Sequence, residues 1–173
     1  MYSAERNYIN QIASRLISAL HIEIPIISLE GVVSQLGGKI VENKALDDAY
    51  DGTIKKTSEN SFEIAISPYQ SERRKKFTIA HELGHLFLHM GYLLDPDLWN
   101  VQDEKIYRRF GTNEEEYQAN EFAAALLMPR EEFEKTVSEL AEGNRIDVQQ
   151  VANHFMVSVS AAKNRGYFLG LFS

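Results

Sequence analysis

Ile9, Ile12, Ala13, Leu16 and Leu20 recur at three- and four-residue steps, the apolar stripe of an amphipathic helix over residues 4–20. After Pro25, Ser28 is placed to cap a short helix carrying Leu29, Val32, Val33 and Leu36, which the pair Gly37-Gly38 ends. Residues 39–43 then have the character of a strand. Runs at 52–57 and 61–67 flank the polar Ser58-Glu59-Asn60, and Phe62, Ile64 and Ile66 alternate with Glu63, Ala65 and Ser67, which predicts a hairpin with one buried face. The stretch 92–113, with Pro96, Trp99 and Tyr107-Arg108-Arg109-Phe110, has little periodicity and reads as a long loop, a class often functional or mobile.

The strongest periodic signal is a helix opened by Ser71 and running to about Met90. His81 and His85 lie four residues apart there, about 40° in azimuth and one turn in height, so both imidazoles can meet one ion, with Glu82 beside them. Thr78, His81, Glu82, His85 and His89 share a sector of about 100°. Phe77, Ile79, Ala80, Leu83, Leu86, Phe87, Leu88 and Met90 cover the rest, and Gly84 leaves room for a close neighbour. Such a helix must be buried, and its polar strip must line a cleft. Solvated or hydrogen-bonded histidines are the alternative reading, and the arrangement favours metal over it. His89, two turns from His81, is badly placed for the same ion and better suited to steering a ligand histidine or meeting substrate.

Composition narrows the chemistry. The 173 residues suffice for one core, and with no cysteine any tightly held metal must use His, Asp or Glu; there are five histidines. A net charge of −7 disfavours constitutive binding to phosphate backbones. Neither a signal-peptide pattern nor an apolar run long enough for a membrane span is visible, so the expected location is the cytoplasm.

Two histidines from one helix leave a metal site incomplete. Asn113 can cap a further helix over 114–127, whose apolar face comprises Phe122, Ala123, Leu126 and Leu127. Glu116 falls inside that arc and Glu115 near its other flank, while Glu114 and Glu121 point away, so the wheel alone leaves Glu115 and Glu116 as contenders. Asn120, one turn beyond Glu116, could orient a metal-bound imidazole through its second nitrogen, which favours Glu116. A carboxylate packed among Ala and Leu is costly unless paired or metal-bound, although Glu114 to Glu116 also form an acidic first turn that suits the helix dipole.

The run Phe77-Thr78-Ile79-Ala80-His81-Glu82-Leu83-Gly84-His85, followed by Glu116-Tyr117-Gln118-Ala119-Asn120-Glu121-Phe122-Ala123-Ala124-Ala125-Leu126-Leu127-Met128-Pro129, resembles the ImmA/IrrE family of zinc peptidases. The resemblance implies an α+β, zincin-like fold of the gluzincin kind: a small antiparallel or mixed sheet, an active-site helix and a mostly helical C-terminal half. It implies Zn2+ held by His81, His85 and, through the pattern Glu-x-x-Ala-Asn, Glu116, with Glu82 as catalytic base. It further implies cleavage of helix-turn-helix repressors as protein substrates. Composition says nothing of that substrate.

Residues 130–142 read as an amphipathic helix, and a second unit is expected to start at 143, dividing the chain into 1–142 and 143–173. Asp147 with Gln150 suggests a capping box before 148–155, and Ser158 caps a last helix through Ala161, Ala162 and Tyr167. Two short helices about a tight turn resemble a helix-turn-helix, but Arg145, Lys163 and Arg165 make a thin basic face, so completing the core or docking a protein substrate is the preferred role. Three functions remain: site-specific endopeptidase; a non-proteolytic regulator that binds a repressor or DNA and keeps a structural metal; and a hydrolase of small molecules. For oxyanion stabilisation the candidates are His89, Tyr92 and Tyr107.

Overall fold

A computed structural model describes residues 3–46, 52–102, 106–107, 113–143 and 145–172. Helix α1 (Ser3–Ala19) leads into α2 (Glu30–Gln35), and the sheet is formed by β1 (Gly38–Glu42), β2 (Gly52–Ser58), β3 (Ser61–Ile66) and β4 (Ile106–Tyr107). Between and after the strands come α3 (Glu72–Leu88), α4 (Pro96–Asn100), α5 (Asn113–Leu127), α6 (Arg130–Leu140), α7 (Val148–Phe155) and α8 (Val159–Leu169). The class is α+β with a small mixed sheet, as the family resemblance implies. Strand order is β1-β3-β2-β4, with β1 parallel to β3 and the other pairs antiparallel.

The alternation in β3 works as read on one face: Phe62, Ile64 and Ile66 are buried in the core. On the other face Glu63 bridges Lys39 of β1 at 2.9 Å and Lys55 of β2 at 2.8 Å, its partners in register on both sides. The hydrogen bonds from Lys55 and then Lys39 hold the Glu63 carboxyl below its usual pKa. Ala65 and Ser67, expected on the polar side, are buried too.

Helix α3 packs on β2 and β3, α5 packs on α3, and α1 packs on the far side of α5. Ser71 caps α3, its hydroxyl accepting from Arg74 N at 3.3 Å. The apolar circumference of α3 is buried as its pattern requires, Leu83 and Leu86 completely. Where α3 meets α5, Gly84 lies against Ala119 so closely that a Cβ on Gly84 would stand 2.9 Å from Ala119 Cα.

Several local expectations are corrected. Ser28 is not the cap of α2: Leu29 holds that position, and Ser28 Oγ accepts from Glu30 N at 3.2 Å. The supposed loop 92–113 contains α4, capped by Asp95, and β4, which pairs with β2 at Ile54 and Lys55. Asp147 caps α7 through Gln149 N at 2.9 Å, and Gln150 Nε2 reaches the Asp147 carboxylate rather than its backbone, so no reciprocal box forms.

The wheel for α5 assumed one apolar face, and Glu121 corrects it. This residue is 4% exposed, between α1 and α8. Arg165, counted above towards a basic surface, is 1% exposed and meets Glu121 at 3.1 Å. Arg165 also donates to Met128 O at 3.0 Å and Asn10 Oδ1 at 2.9 Å, and Asn10 donates to Glu121 at 2.6 Å. Burial pushes the Arg165 pKa down to about 10, with Glu121 opposing the shift, and the guanidinium stays charged at neutral pH. Val151, Ala152, Phe155 and Ala162 of the last helices join the continuous core, with Phe155 stacked on Phe133 at 5.6 Å. Among the described residues no helix is long and apolar enough to cross a membrane.

Candidate metal centre

The crossing of Gly84 over Ala119 sets the geometry of the site. His81 and His85 flank Gly84 on α3, and Glu116 stands one turn before Ala119 on α5, so the close approach of the two backbones brings the three side chains together. His81 Nε2 and His85 Nε2 are 3.0 Å apart. Glu116 Oε2 is 3.3 Å from the first, and Glu116 Oε1 is 3.4 Å from the second. Ligand atoms on a tetrahedral ion with spokes of about 2.0–2.1 Å stand roughly 3.3–3.4 Å from one another. The two glutamate edges, one to each carboxylate oxygen, are close to that length and the His81–His85 edge is shorter, so the three side chains converge closely enough to hold one small ion.

Hydrogen bonds on the far side of each imidazole fix the tautomers. Asn120 Oδ1 lies 3.0 Å from His81 Nδ1, which donates to it. His85 Nδ1 is 2.8 Å from His89 Nδ1, His89 Nε2 is 2.8 Å from Gln118 Oε1, and Gln118 Nε2 donates to Glu5 of α1. Reading back from the carboxylate, Gln118 presents its oxygen to His89, so neutral His89 carries its proton on Nε2 and accepts at Nδ1. His85 must then donate from Nδ1. Both ligand imidazoles thus turn lone pairs at Nε2 toward each other and toward a carboxylate, an arrangement that a cation at their centre stabilises.

Glu82 is 2% exposed and faces the start of β2. A Cβ on Gly52 would lie 2.5 Å from Thr78 Cγ2 and 3.0 Å from Glu82 Oε1, so only glycine lets β2 pass this close to the site. His89 has both ring nitrogens engaged, one with His85 and one with Gln118, which places it behind the ligand histidine rather than on the metal. Glu115 is outside the group that could hold a metal ion, which comprises His81, His85 and Glu116.

Of the oxyanion candidates, Tyr92 is corrected: its hydroxyl donates to Leu36 O at 2.6 Å and lies 3.2 Å from Asn60 O, and burial raises its pKa. It packs edge-on against Trp99, whose indole donates to Glu59 O at 2.6 Å, so this pair fastens the segment after α3 onto the hairpin turn. The side chain of Tyr107 lies outside the described residues. Sequence reasoning missed Gln118 and Glu5. A glutamine one turn behind Asn120's neighbour carries no periodic signal, and its link to α1 spans 113 residues.

An α+β domain whose buried helix offers two histidines, joined by a glutamate from a crossing helix, presents a group that could hold a metal ion, consistent with a metallopeptidase. The chain belongs to the peptidase M78 family, the IrrE N-terminal-like domain, whose family model matches residues 34–167. That match includes α3, α5 and most of α8. Among solved structures the fold is similar to a Mycobacterium tuberculosis transcriptional regulator, with a TM-score of 0.61 and 18% identity, covering 92% of this chain and 46% of that one. The chain thus spans less than half the length of that regulator. No curated protein sequence matches this chain.

Proposed function

We propose that this protein is a zinc-dependent endopeptidase that cleaves a protein substrate, a helix-turn-helix transcriptional repressor, and so relieves repression. The observation that carries the reading is the convergence of His81, His85 and Glu116, with donor atoms 3.0 to 3.4 Å apart, and with Glu82 buried beside them. Two imidazoles and one carboxylate, in a chain without cysteine, form a donor set that suits zinc and leaves one position open. Bound there, zinc supplies a Lewis acid that polarises a carbonyl and makes water nucleophilic near neutral pH.

The chain's own residues do the remainder. Asn120 and His89 hold the ligand imidazoles in the binding tautomer. Glu82 takes a proton from the attacking water and delivers it to the leaving amine. A substrate strand can add to the sheet beside Glu82 at Gly52 and Thr53, because β4 already occupies the edge of β2 at Ile54 and Lys55. The repressor as substrate is supported by family membership and by a similar fold in a protein described as a transcriptional regulator. Burial of Arg165 takes one of three basic residues away from any DNA-reading face of the tail, which weighs against the non-proteolytic alternative.

The test is mass spectrometry of candidate repressors incubated with zinc-loaded protein. Cleavage at one bond, lost in Glu82→Gln while zinc is retained, is the expected result. A repressor inactivated at the normal rate by Glu82→Gln would defeat the peptidase reading.

A further inference from the structure

Helix α1 carries a carboxylate to the back of the metal centre. Glu5 accepts from Gln118 Nε2, Gln118 Oε1 accepts from His89 Nε2 at 2.8 Å, and His89 Nδ1 lies 2.8 Å from His85 Nδ1. Glu5 is half-buried, 113 positions from Gln118, and precedes residues 34–167, which match the family model. The seam between α1 and α5 has a second polar link one turn further along α5, where Asn10 donates to Glu121 at 2.6 Å and Arg6 meets it at 3.4 Å.

The two links differ in what they can transmit. A carboxylate only accepts, whereas an amide presents a donor on one side and an acceptor on the other, and a neutral imidazole does the same. Glu5 therefore decides which way Gln118 faces. With its NH2 group turned to Glu5, Gln118 offers its oxygen to His89, and the protons settle on His89 Nε2 and His85 Nδ1. The lone pair of His85 Nε2 then points at the metal position. With the amide reversed, Gln118 would donate to His89 Nε2, His89 would donate from Nδ1 to His85, and the His85 proton would sit on Nε2, where an ion would bind. Both arrangements satisfy the hydrogen bonds from Gln118 to His85 and hold the same number of protons. The acceptor at the far end separates them. The link through Asn10 and Glu121 runs to Arg165 instead of to an imidazole.

We propose that Glu5 is a positioning residue for the metal centre: seated on Gln118, it selects the amide orientation that keeps the His85 proton on Nδ1. The first helix of the chain thereby raises metal affinity without touching the metal. The inference rests on the metal reading of His81, His85 and Glu116 and is independent of peptidase activity.

Zinc affinity is measured by competition with a chromophoric chelator. The imidazole tautomers are read in the metal-free full-length chain from two-bond proton–nitrogen correlation spectra, at a pH where the imidazoles are neutral. Glu5→Gln keeps the size of the side chain but lets it donate or accept, so the amide direction is no longer imposed. Affinity falls about two- to tenfold, the worth of roughly one hydrogen bond, and the His85 signal shifts from Nδ1–H toward Nε2–H. Glu5→Gln/Gln118→Glu puts a carboxylate beside His89 and recovers both readouts. In a His89→Phe background Glu5→Gln has no further effect on affinity, which separates the relay from a plain attraction between a carboxylate and a cation. Asn10→Ala loosens the same seam and lowers the urea midpoint, but leaves affinity and tautomers unchanged. Wild-type affinity and tautomers in Glu5→Gln, no recovery in the double variant, an undiminished effect without His89, or a matching loss in Asn10→Ala each overturns the inference. A wild-type chain that takes up no zinc would overturn the metal reading instead, and the imidazole spectra would still decide the direction of the relay.

Discussion

Replacing His89 with Phe removes the acceptor that His85 Nδ1 uses at 2.8 Å. His85 is 1% exposed, so water does not take the vacated place, and a buried donor left unsatisfied costs about 1–3 kcal/mol. The cost falls on the metal-bound state. With an ion at Nε2 the proton of His85 must sit on Nδ1, whereas in the metal-free protein the proton can move to Nε2 and face Glu116. The expected loss of zinc affinity is therefore about ten- to a hundredfold. Asn120→Ala makes the comparison, because Asn120 is exposed and water can replace its Oδ1 beside His81; its loss should lie at or below about tenfold. Competition against a chromophoric chelator, with circular dichroism to verify folding, measures both. Wild-type affinity in His89→Phe, or a larger loss in Asn120→Ala than in His89→Phe, would refute the reasoning.

Three further outcomes follow from the packing and the buried charges. Gly84→Ala should lower the urea midpoint and the zinc affinity together: its Cβ meets the Ala119 backbone at 2.9 Å, and overpacking of about 1–3 kcal/mol exceeds the roughly 1 kcal/mol gained in helix propensity. Arg165→Met takes from Glu121 its fully buried guanidinium partner, leaving the longer contact to Arg6 and the hydrogen bond from Asn10, and should destabilise by about 3 kcal/mol in urea, with part of the loss recovered in Arg165→Met/Glu121→Leu; a change below the error of the titration would contradict the network. Lys76 donates to Ile26 O at 2.7 Å and Phe155 O at 2.9 Å, and burial pushes its pKa down to about 8 from 10.5. Between those values the unfolded chain holds a proton that the folded chain lacks, so this group's contribution to stability rises with pH across that window. The difference in unfolding free energy between wild type and Lys76→Met should climb accordingly, and a flat difference would count against it.

What could be read from the sequence was local and periodic. The spacing of His81 and His85, the apolar circumference of α3 and the gap at Gly84 depend on one helix, and the alternation of Phe62, Ile64 and Ile66 on one strand. Glu116 required a second helix, and its wheel could not separate it from Glu115 because the azimuth of α3 relative to α5 is a tertiary fact, set where Gly84 meets Ala119. Glu121 and Arg165 were misread for a related reason. Each has the hydropathy of a surface residue, and its burial is compensated by partners from distant segments: each other, 44 positions apart, and Asn10 of α1. The chain of contacts from His85 through His89 and Gln118 to Glu5 is equally non-local. Helix α4 and strand β4 were hidden because five and two residues are too few to show a period.

The central claim is that His81, His85 and Glu116 hold one catalytic zinc with Glu82 beside it and not on it. Anomalous diffraction at the zinc edge, from crystals of the zinc-loaded protein, tests this most directly. The account predicts a single peak at about 2.0–2.2 Å from His81 Nε2, His85 Nε2 and a Glu116 oxygen, with a fourth position open to solvent. A peak elsewhere, or one in which Glu82 or Glu115 replaces Glu116 as ligand, would contradict it.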